Sequence, residues 1–187
     1  MKPELTILVN RSHPVPENFS DGITFVELMG GENTFISLEE EAARAYLKLQ
    51  QFLLDSGLPI ELLSGYRTAE KQQRIWDESL ESNGAEYTAR YVATPGFSEH
   101  QTGLAMAVML YNQAGNVITD NYAPEYERML PVLHRFGFIL RYPEGREEIT
   151  GYGYEPWHIR YVGIPASQII WENNWTLEEY TKNIARP

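Results

Sequence analysis

The run from Ser98 to Leu110 constrains this chain more than any other stretch. A polar opening, Ser98-Glu99-His100-Gln101-Thr102-Gly103, leads straight into Leu104-Ala105-Met106-Ala107-Val108-Met109-Leu110. The second part alternates as a strand does. Leu104, Met106 and Val108 face one way, and Ala105, Ala107 and Met109 face the other. Far downstream, Glu155-Pro156-Trp157-His158 opens a second predicted strand, Trp157 to Val162. Two strands entered through turns, each carrying a histidine, call for a sheet with packed partners on at least one face.

The remaining elements supply those partners. Leu5 to Val9 reads as a short apolar strand, and residues 23–36 as irregular structure or a short hairpin around Gly30-Gly31. Ser37 with Glu40 fits a capping box, and Ala42, Ala45, Tyr46, Leu49, Phe52 and Leu53 keep helical spacing up to a stop at Gly57. Ile60 to Leu63 predicts a strand running into Ser64-Gly65-Tyr66-Arg67. Thr68 then caps a helix, with Ile75 and Trp76 on its buried side, that ends near Ser82 at the breaker Asn83-Gly84. A further helical turn is expected at Thr88 to Tyr91, and Tyr111 to Asn121 is turn-like. A third amphipathic helix is expected from Glu125 to Phe136, a strand from Phe138 to Arg141, and a helix after Thr176 capped with Glu179. Repeats, low-complexity tracts and linkers are absent, so the expectation is a single α+β domain over residues 1–187.

Composition narrows the chemistry. Apolar residues make up 43% of the 187, enough for one core. The chain has no cysteine, so any transition-metal site must draw on His, Asp or Glu. A net charge of −11 would repel polyphosphates, which argues against nucleic acid as a partner. No apolar run is long enough for a membrane span or a signal peptide, so neither a membrane partner nor export is expected, and the expected location is the cytoplasm.

There are four histidines. His13 in a loop and His134 in a helix read as ordinary structural residues. His100 and His158, each beside polar or small neighbours at a strand entry, are different. Composition and spacing alone leave a metal site and two structural histidines evenly matched. The metal reading is chemically coherent: neutral imidazoles suit zinc, and a catalytic zinc takes three protein ligands and keeps one position open. Glu155, close to His158 in sequence, is placed to move a proton, and Arg67 offers a fixed cationic fork for an oxyanion or a carboxylate.

Three segments together resemble a known family. Ser64-Gly65-Tyr66-Arg67, Ser98-Glu99-His100-Gln101-Thr102-Gly103-Leu104-Ala105 and Glu155-Pro156-Trp157-His158-Ile159-Arg160-Tyr161-Val162-Gly163 are similar to the zinc D,D-peptidases of vancomycin resistance. These are the VanY, VanX and VanXY types, and the likeness is greatest to the bifunctional VanXY type. The likeness extends from Val9-Asn10 with His13-Pro14, through Phe138 to Pro143 and Glu148 to Gly151, to Trp175-Thr176-Leu177-Glu178-Glu179-Tyr180. It implies helices packed on an antiparallel sheet that carries zinc. It also implies His100 and His158 as metal ligands, Glu155 as the catalytic base and Arg67 as the group that stabilises the transition state. Gln72 and Ser98 are implied as substrate-pocket residues. The implied partner is D-Ala-D-Ala, as free dipeptide or as the end of a peptidoglycan precursor pentapeptide.

One position departs from the pattern. The family places an aspartate, the third zinc ligand, where this chain has Ala107. Losing a first-shell anion predicts zinc that is weakly bound or absent and severely reduced turnover. Three readings of Ala107 stand open: a carboxylate deliberately removed, a homologue that binds cell-wall peptides without cleaving them, or a substitute carboxylate such as Asp120 reaching in. L,D-carboxypeptidase activity on a tetrapeptide stem is a further alternative, because related enzymes share these motifs.

Overall fold

The computed structural model describes residues 4–184, with the side chain of Glu32 excepted. Its centre is an antiparallel sheet in the order β3 (Ile60–Ser64), β4 (Ala105–Leu110), β6 (His158–Tyr161), β5 (Phe138–Leu140). The alternation of β4 sets its two faces. Leu104, Met106, Val108 and Leu110 enter the main core, while Ala105 and Ala107 lie on the opposite face. Against the core face packs α1 (Glu40–Asp55), through Ala42, Ala43, Tyr46, Leu49 and Leu53. The segment before α1 is a hairpin, β1 (Phe25–Met29) with β2 (Phe35–Glu39), as the glycine pair suggested.

Three expected boundaries move, each for a local reason. Pairing of β1 with β2 runs to Phe25 opposite Glu39, so Ser37 is strand and cannot cap. Glu39 caps α1 instead, accepting from the Ala42 N–H at 2.9 Å. The second helix, α2 (Ala69–Tyr91), does begin at Thr68, which accepts from the Lys71 N–H at 3.2 Å. It kinks rather than ends at Gly84, whose φ of 81° takes the chain out of helical geometry before the helix resumes. On α2, Ile75 and Trp76 are half-buried. The third helix is α-helical only over α3 (Pro124–Met129). Pro131 lacks an N–H, and Leu130–Phe136 continue as a tighter 3-10 helix ended by Gly137.

A short α4 (Glu147–Thr150) and a longer α5 (Ile164–Asn173) were not anticipated. Pro165 in the first turn of α5 was the available signal. The last helix, α6 (Leu177–Ile184), has the expected reciprocal cap. The Thr176 N–H donates to Glu179 Oε2 at 2.8 Å, and the Glu179 N–H donates to Thr176 Oγ1 at 3.3 Å. Among the described residues, no helix is long and apolar enough to cross a membrane.

Leu5 to Val9 is not a strand. Its carbonyls are taken up by guanidinium groups rather than by a neighbouring strand: Arg160 Nη2 donates to Leu5 O at 3.0 Å and Ile7 O at 2.9 Å, and Arg141 Nη2 donates to Val9 O at 3.3 Å. Both arginines are fully buried, and both converge on one carboxylate. Glu99 Oε1 accepts from Arg141 Nε at 2.7 Å and from Arg160 Nη1 at 2.6 Å. A second carboxylate completes the cluster: Glu178 on α6 accepts from Arg141 at 2.7 and 3.0 Å, and from Asn10 Nδ2 at 3.1 Å. Two cations and two anions therefore tie the N-terminal segment, β6, the chain just after β5, the Ser98–Gly103 turn and the C-terminal helix into one unit.

Burial alone would push the Glu99 carboxyl up, but Arg141 and Arg160 hold it well below the ordinary carboxylate range. Its stabilising contribution is therefore present above the unfolded value, near pH 4.5, and is lost only as pH falls through the lower folded value. Removing one partner of a buried pair strands the other charge. Glu99→Gln is expected to cost roughly 3–5 kcal/mol in urea denaturation at pH 7. The deficit should narrow only below about pH 4.5. Equal denaturation midpoints for the two proteins at pH 7 would contradict this account of the cluster.

Candidate active site

The opposite face of the sheet is assembled by register. Ser64, at a β-bulge in β3, lies opposite Ala107 in β4, and Ala107 lies opposite His158 in β6. These three residues form a row across the sheet, with Ala107 at its middle.

His100 is delivered by a 3-10 turn, Glu99–Thr102, which closes at Gly103 with φ 72°. A Cβ on Gly103 would sit 2.7 Å from the Phe25 ring and 3.1 Å from the Glu39 nitrogen, so only glycine fits there. His100 Nδ1 lies 2.7 Å from the Gly65 carbonyl. A carbonyl can only accept, so Nδ1 carries the proton and Nε2 keeps its lone pair. Burial, with Arg67 and His158 nearby, pushes this imidazole well below its usual value, so it is neutral at physiological pH.

His158 begins β6 with carboxylates at both ring nitrogens. Nδ1 is 3.2 Å from Glu155 Oε2, and Nε2 is 3.7 Å from Glu99 Oε2. Burial acts to lower this imidazole, yet the nearby Glu155 and Glu99 carboxylates outweigh it and the net shift is upward. The two imidazole rings stand 5.0 Å apart, edge to face. Glu155 is fixed through its backbone as well, its N–H donating to the Tyr142 carbonyl at 3.2 Å.

Arg67 leaves the Ser64–Tyr66 turn with its N–H on the His100 carbonyl at 3.1 Å. Its guanidinium donates to Ser64 Oγ at 2.7 Å and more weakly to Gln72 Oε1 at 3.4 Å. Burial pushes it down to about 10, against the pull of Glu155, so it remains a cation at neutral pH. Gln72 is buried on α2, and its amide donates to the Ala93 carbonyl at 2.8 Å; it supports Arg67 and the chain after α2 as much as it faces the cavity. Ser98 is buried at the turn.

Arg67, Gln72, Ser98, His100, Glu155 and His158, all singled out from the sequence, border one cavity of about 220 Å³, and Ala107 lies in the same wall. The other two histidines are elsewhere. His13 bonds Asn10 in a tight turn, and His134 stacks on Trp171. Asp120, considered as a substitute ligand, is exposed and accepts from the Tyr122 N–H; it does not border the cavity. Sequence reasoning missed the wall formed by Tyr87 and Tyr91 on the second part of α2, together with Tyr142, Tyr152 and Trp157. Their density of aromatic rings around the motifs was the available signal.

The donor chemistry can be compared with a catalytic zinc, which takes three protein ligands. His100 offers a free Nε2 and His158 a second imidazole, but Ala107, paired with His158 across the strands, presents only a methyl group. Among the described residues, no cluster of three His, Cys, Asp or Glu is placed to hold a metal. Glu99 faces His158, yet its other oxygen is committed to two guanidinium groups. The residues present do not fit a catalytic zinc site of three protein ligands. What remains is a cationic fork, a carboxylate and two imidazoles around a cleft of peptide size.

Known proteins resemble this chain along nearly its whole length. Residues 35–164 match the VanY family model, described as D-alanyl-D-alanine carboxypeptidase. The bifunctional D-Ala-D-Ala dipeptidase and D-Ala-D-Ala carboxypeptidase VanXYC of Enterococcus gallinarum is 40% identical, over 96% of this chain and 94% of that protein. A vancomycin-resistance D,D-dipeptidase, VanXYg, crystallised with a D-Ala-D-Ala phosphinate analogue, superposes with a TM-score of 0.82. It is 34% identical and covers 97% of this chain and 73% of its own. A mutant of the vancomycin-resistance D,D-pentapeptidase VanY, in complex with Zn(II), gives a TM-score of 0.80 at 35% identity, covering 94% of this chain and 98% of its own. With the motif residues gathered on one cavity wall and relatives similar along nearly the whole chain, this protein belongs to the VanY family of D-alanyl-D-alanine carboxypeptidases.

Proposed function

We propose that this chain is a D,D-peptidase scaffold that binds D-Ala-D-Ala ends, as the free dipeptide or on a peptidoglycan precursor, and turns them over poorly because of Ala107. The observation that carries this reading is the row Ser64–Ala107–His158. The residues the resemblance implies as the site, Arg67, Gln72, Ser98, His100, Glu155 and His158, border the cavity, and a methyl group stands at the one position that needs an anion. In this reading Arg67 binds the substrate's carboxylate or steadies a developing oxyanion, its fork held by Ser64. Glu155 is the proton-transfer group, at present hydrogen-bonded to His158. Ser98 and Gln72 shape the pocket around the terminal residue. Zinc is weakly held, since two imidazoles lack the third donor and its negative charge. In a family linked to vancomycin resistance, the biological counterpart is removal of D-Ala-D-Ala, and restoring that activity requires restoring the carboxylate.

The decisive comparison is between the unmodified chain and Ala107→Asp. Bound zinc would be read by competition with a chromophoric chelator, and D-Ala release followed from D-Ala-D-Ala, a precursor pentapeptide and a tetrapeptide stem. Ala107→Asp is expected to reach near-stoichiometric zinc and to raise D-Ala release from the first two substrates by at least roughly 100-fold, the upper end of what a mere supporting residue commands. Zinc binding without release from either D,D substrate would refute the peptidase reading. Release from the tetrapeptide alone would mean L,D specificity, and full activity in the unmodified chain would mean that Ala107 is not limiting. Separately, Arg67→Gln should weaken calorimetric D-Ala-D-Ala binding by roughly 10- to 100-fold, the worth of a charge-assisted hydrogen bond.

A further inference from the structure

We propose that the hollow beside the cleft, lined by Arg11 and Trp76, is a second subsite for the part of a peptide that precedes its D-Ala-D-Ala end, with Arg11 donating to a carbonyl or carboxylate oxygen there. The inference rests on the functional reading above and extends the same site. It makes Arg11 a residue that separates a pentapeptide from the free dipeptide.

Cleft and hollow adjoin. Val92 and Tyr152 border both, and the hollow adds Arg11, Trp76, Ala89 and Thr94 around a volume of about 220 Å³. Trp76, Ala89, Val92 and the Tyr152 ring make its walls largely apolar, while Arg11 and Thr94 supply a few polar groups, the usual composition of a small-ligand site. A pentapeptide carries more chain than the pair held near Arg67 and Glu155, and that chain needs a surface next to the cleft.

Arg11 is placed by its own turn. Asn10 and His13 exchange backbone hydrogen bonds at 3.0 and 3.1 Å, and Asn10 Oδ1 accepts from the Ser12 N–H at 3.0 Å. Asn10 Nδ2 in turn donates to Glu178 of the buried ion cluster. From that anchor the guanidinium reaches the hollow, where it lies 4.8 Å from the centre of the Tyr152 ring and donates to the Ala89 carbonyl. Both contacts are with residues that line the hollow, so the charged end of the side chain stands at its wall.

This cation lacks an anion. Arg44, Arg90, Arg141, Arg146 and Arg160 each pair with a carboxylate, yet no carboxylate among the described residues is within ion-pairing distance of Arg11. In a chain of net charge −11 that is a notable gap. A guanidinium held against an aromatic ring still offers N–H groups to a carbonyl or carboxylate. Arg67 in the cleft and Arg11 in the hollow thus give each compartment one cation for an acceptor-rich chain.

The test is isothermal titration of D-Ala-D-Ala and of a pentapeptide ending in D-Ala-D-Ala, each into the unmodified chain and into Arg11→Gln, with thermal melts of both proteins. The unmodified chain is expected to bind the pentapeptide roughly 5- to 10-fold more tightly than the dipeptide, the worth of one hydrogen bond at an exposed charged group. Arg11→Gln should lose that advantage and keep its dipeptide affinity. Equal affinities of the unmodified chain for the two peptides, or an equal loss for both in Arg11→Gln, would overturn the inference while leaving the functional reading intact. Binding of neither peptide by the unmodified chain would overturn both. If Arg11→Gln melts early, Thr94→Trp decides the matter, because Thr94 is exposed and borders the hollow but not the cleft. Selective loss of the pentapeptide in that variant supports the subsite, and an undiminished preference for the pentapeptide refutes it.

Discussion

The Glu99 carboxylate, clamped between the buried guanidinium groups of Arg141 and Arg160, is the contact on which the rest of the molecule depends. Two arginines inside a small domain would be prohibitive if left unpaired, and here each finds a carboxylate and backbone carbonyls. Because the clamp sits beside His100 in sequence and faces His158 in space, the same carboxylate that neutralises the core also supports both histidines. The fold and the site therefore share a foundation.

The second constraint is strand register. Alternation sends Leu104, Met106 and Val108 into the core and leaves Ala105 and Ala107 on the opposite face, where Ala107 borders the cleft. A one-residue slip in β4 would exchange those faces and dismantle both core and cavity. The bulge between Leu62 and Ser64 then aims Ser64 at Arg67, so a local irregularity in β3 orients the only cationic fork among the residues that border the cavity.

Much of this was legible in the sequence because it is written locally. The turn Ser98–Gly103 and the strand after it, the caps at Thr68 and Thr176, and the breaks at Gly84 and Gly137 all involve neighbours within a few residues. The gathering of Arg67, His100, Glu155 and His158 followed from motif resemblance, which carries long-range information that spacing does not. What stayed hidden is non-local. Nothing near Leu5 to Val9 says that its carbonyls meet arginines from β6 and from just beyond β5, so a β-branched apolar run read as strand. Nor does anything near Arg141 and Arg160 in the sequence mark them as buried, because their partners, Glu99 and Glu178, come from distant segments. The cap at Glu39 was missed because hairpin pairing, not helix propensity, decides where β2 ends.

Position 107 lies on a central strand, held by backbone pairing to β3 on one side and β6 on the other. The main chain there does not depend on which small side chain it carries, so chemistry at this point is separable from architecture. An alanine codon that ends in a pyrimidine becomes an aspartate codon by one base change. A scaffold of this kind can exchange one small side chain for another at this point without rearranging its strands.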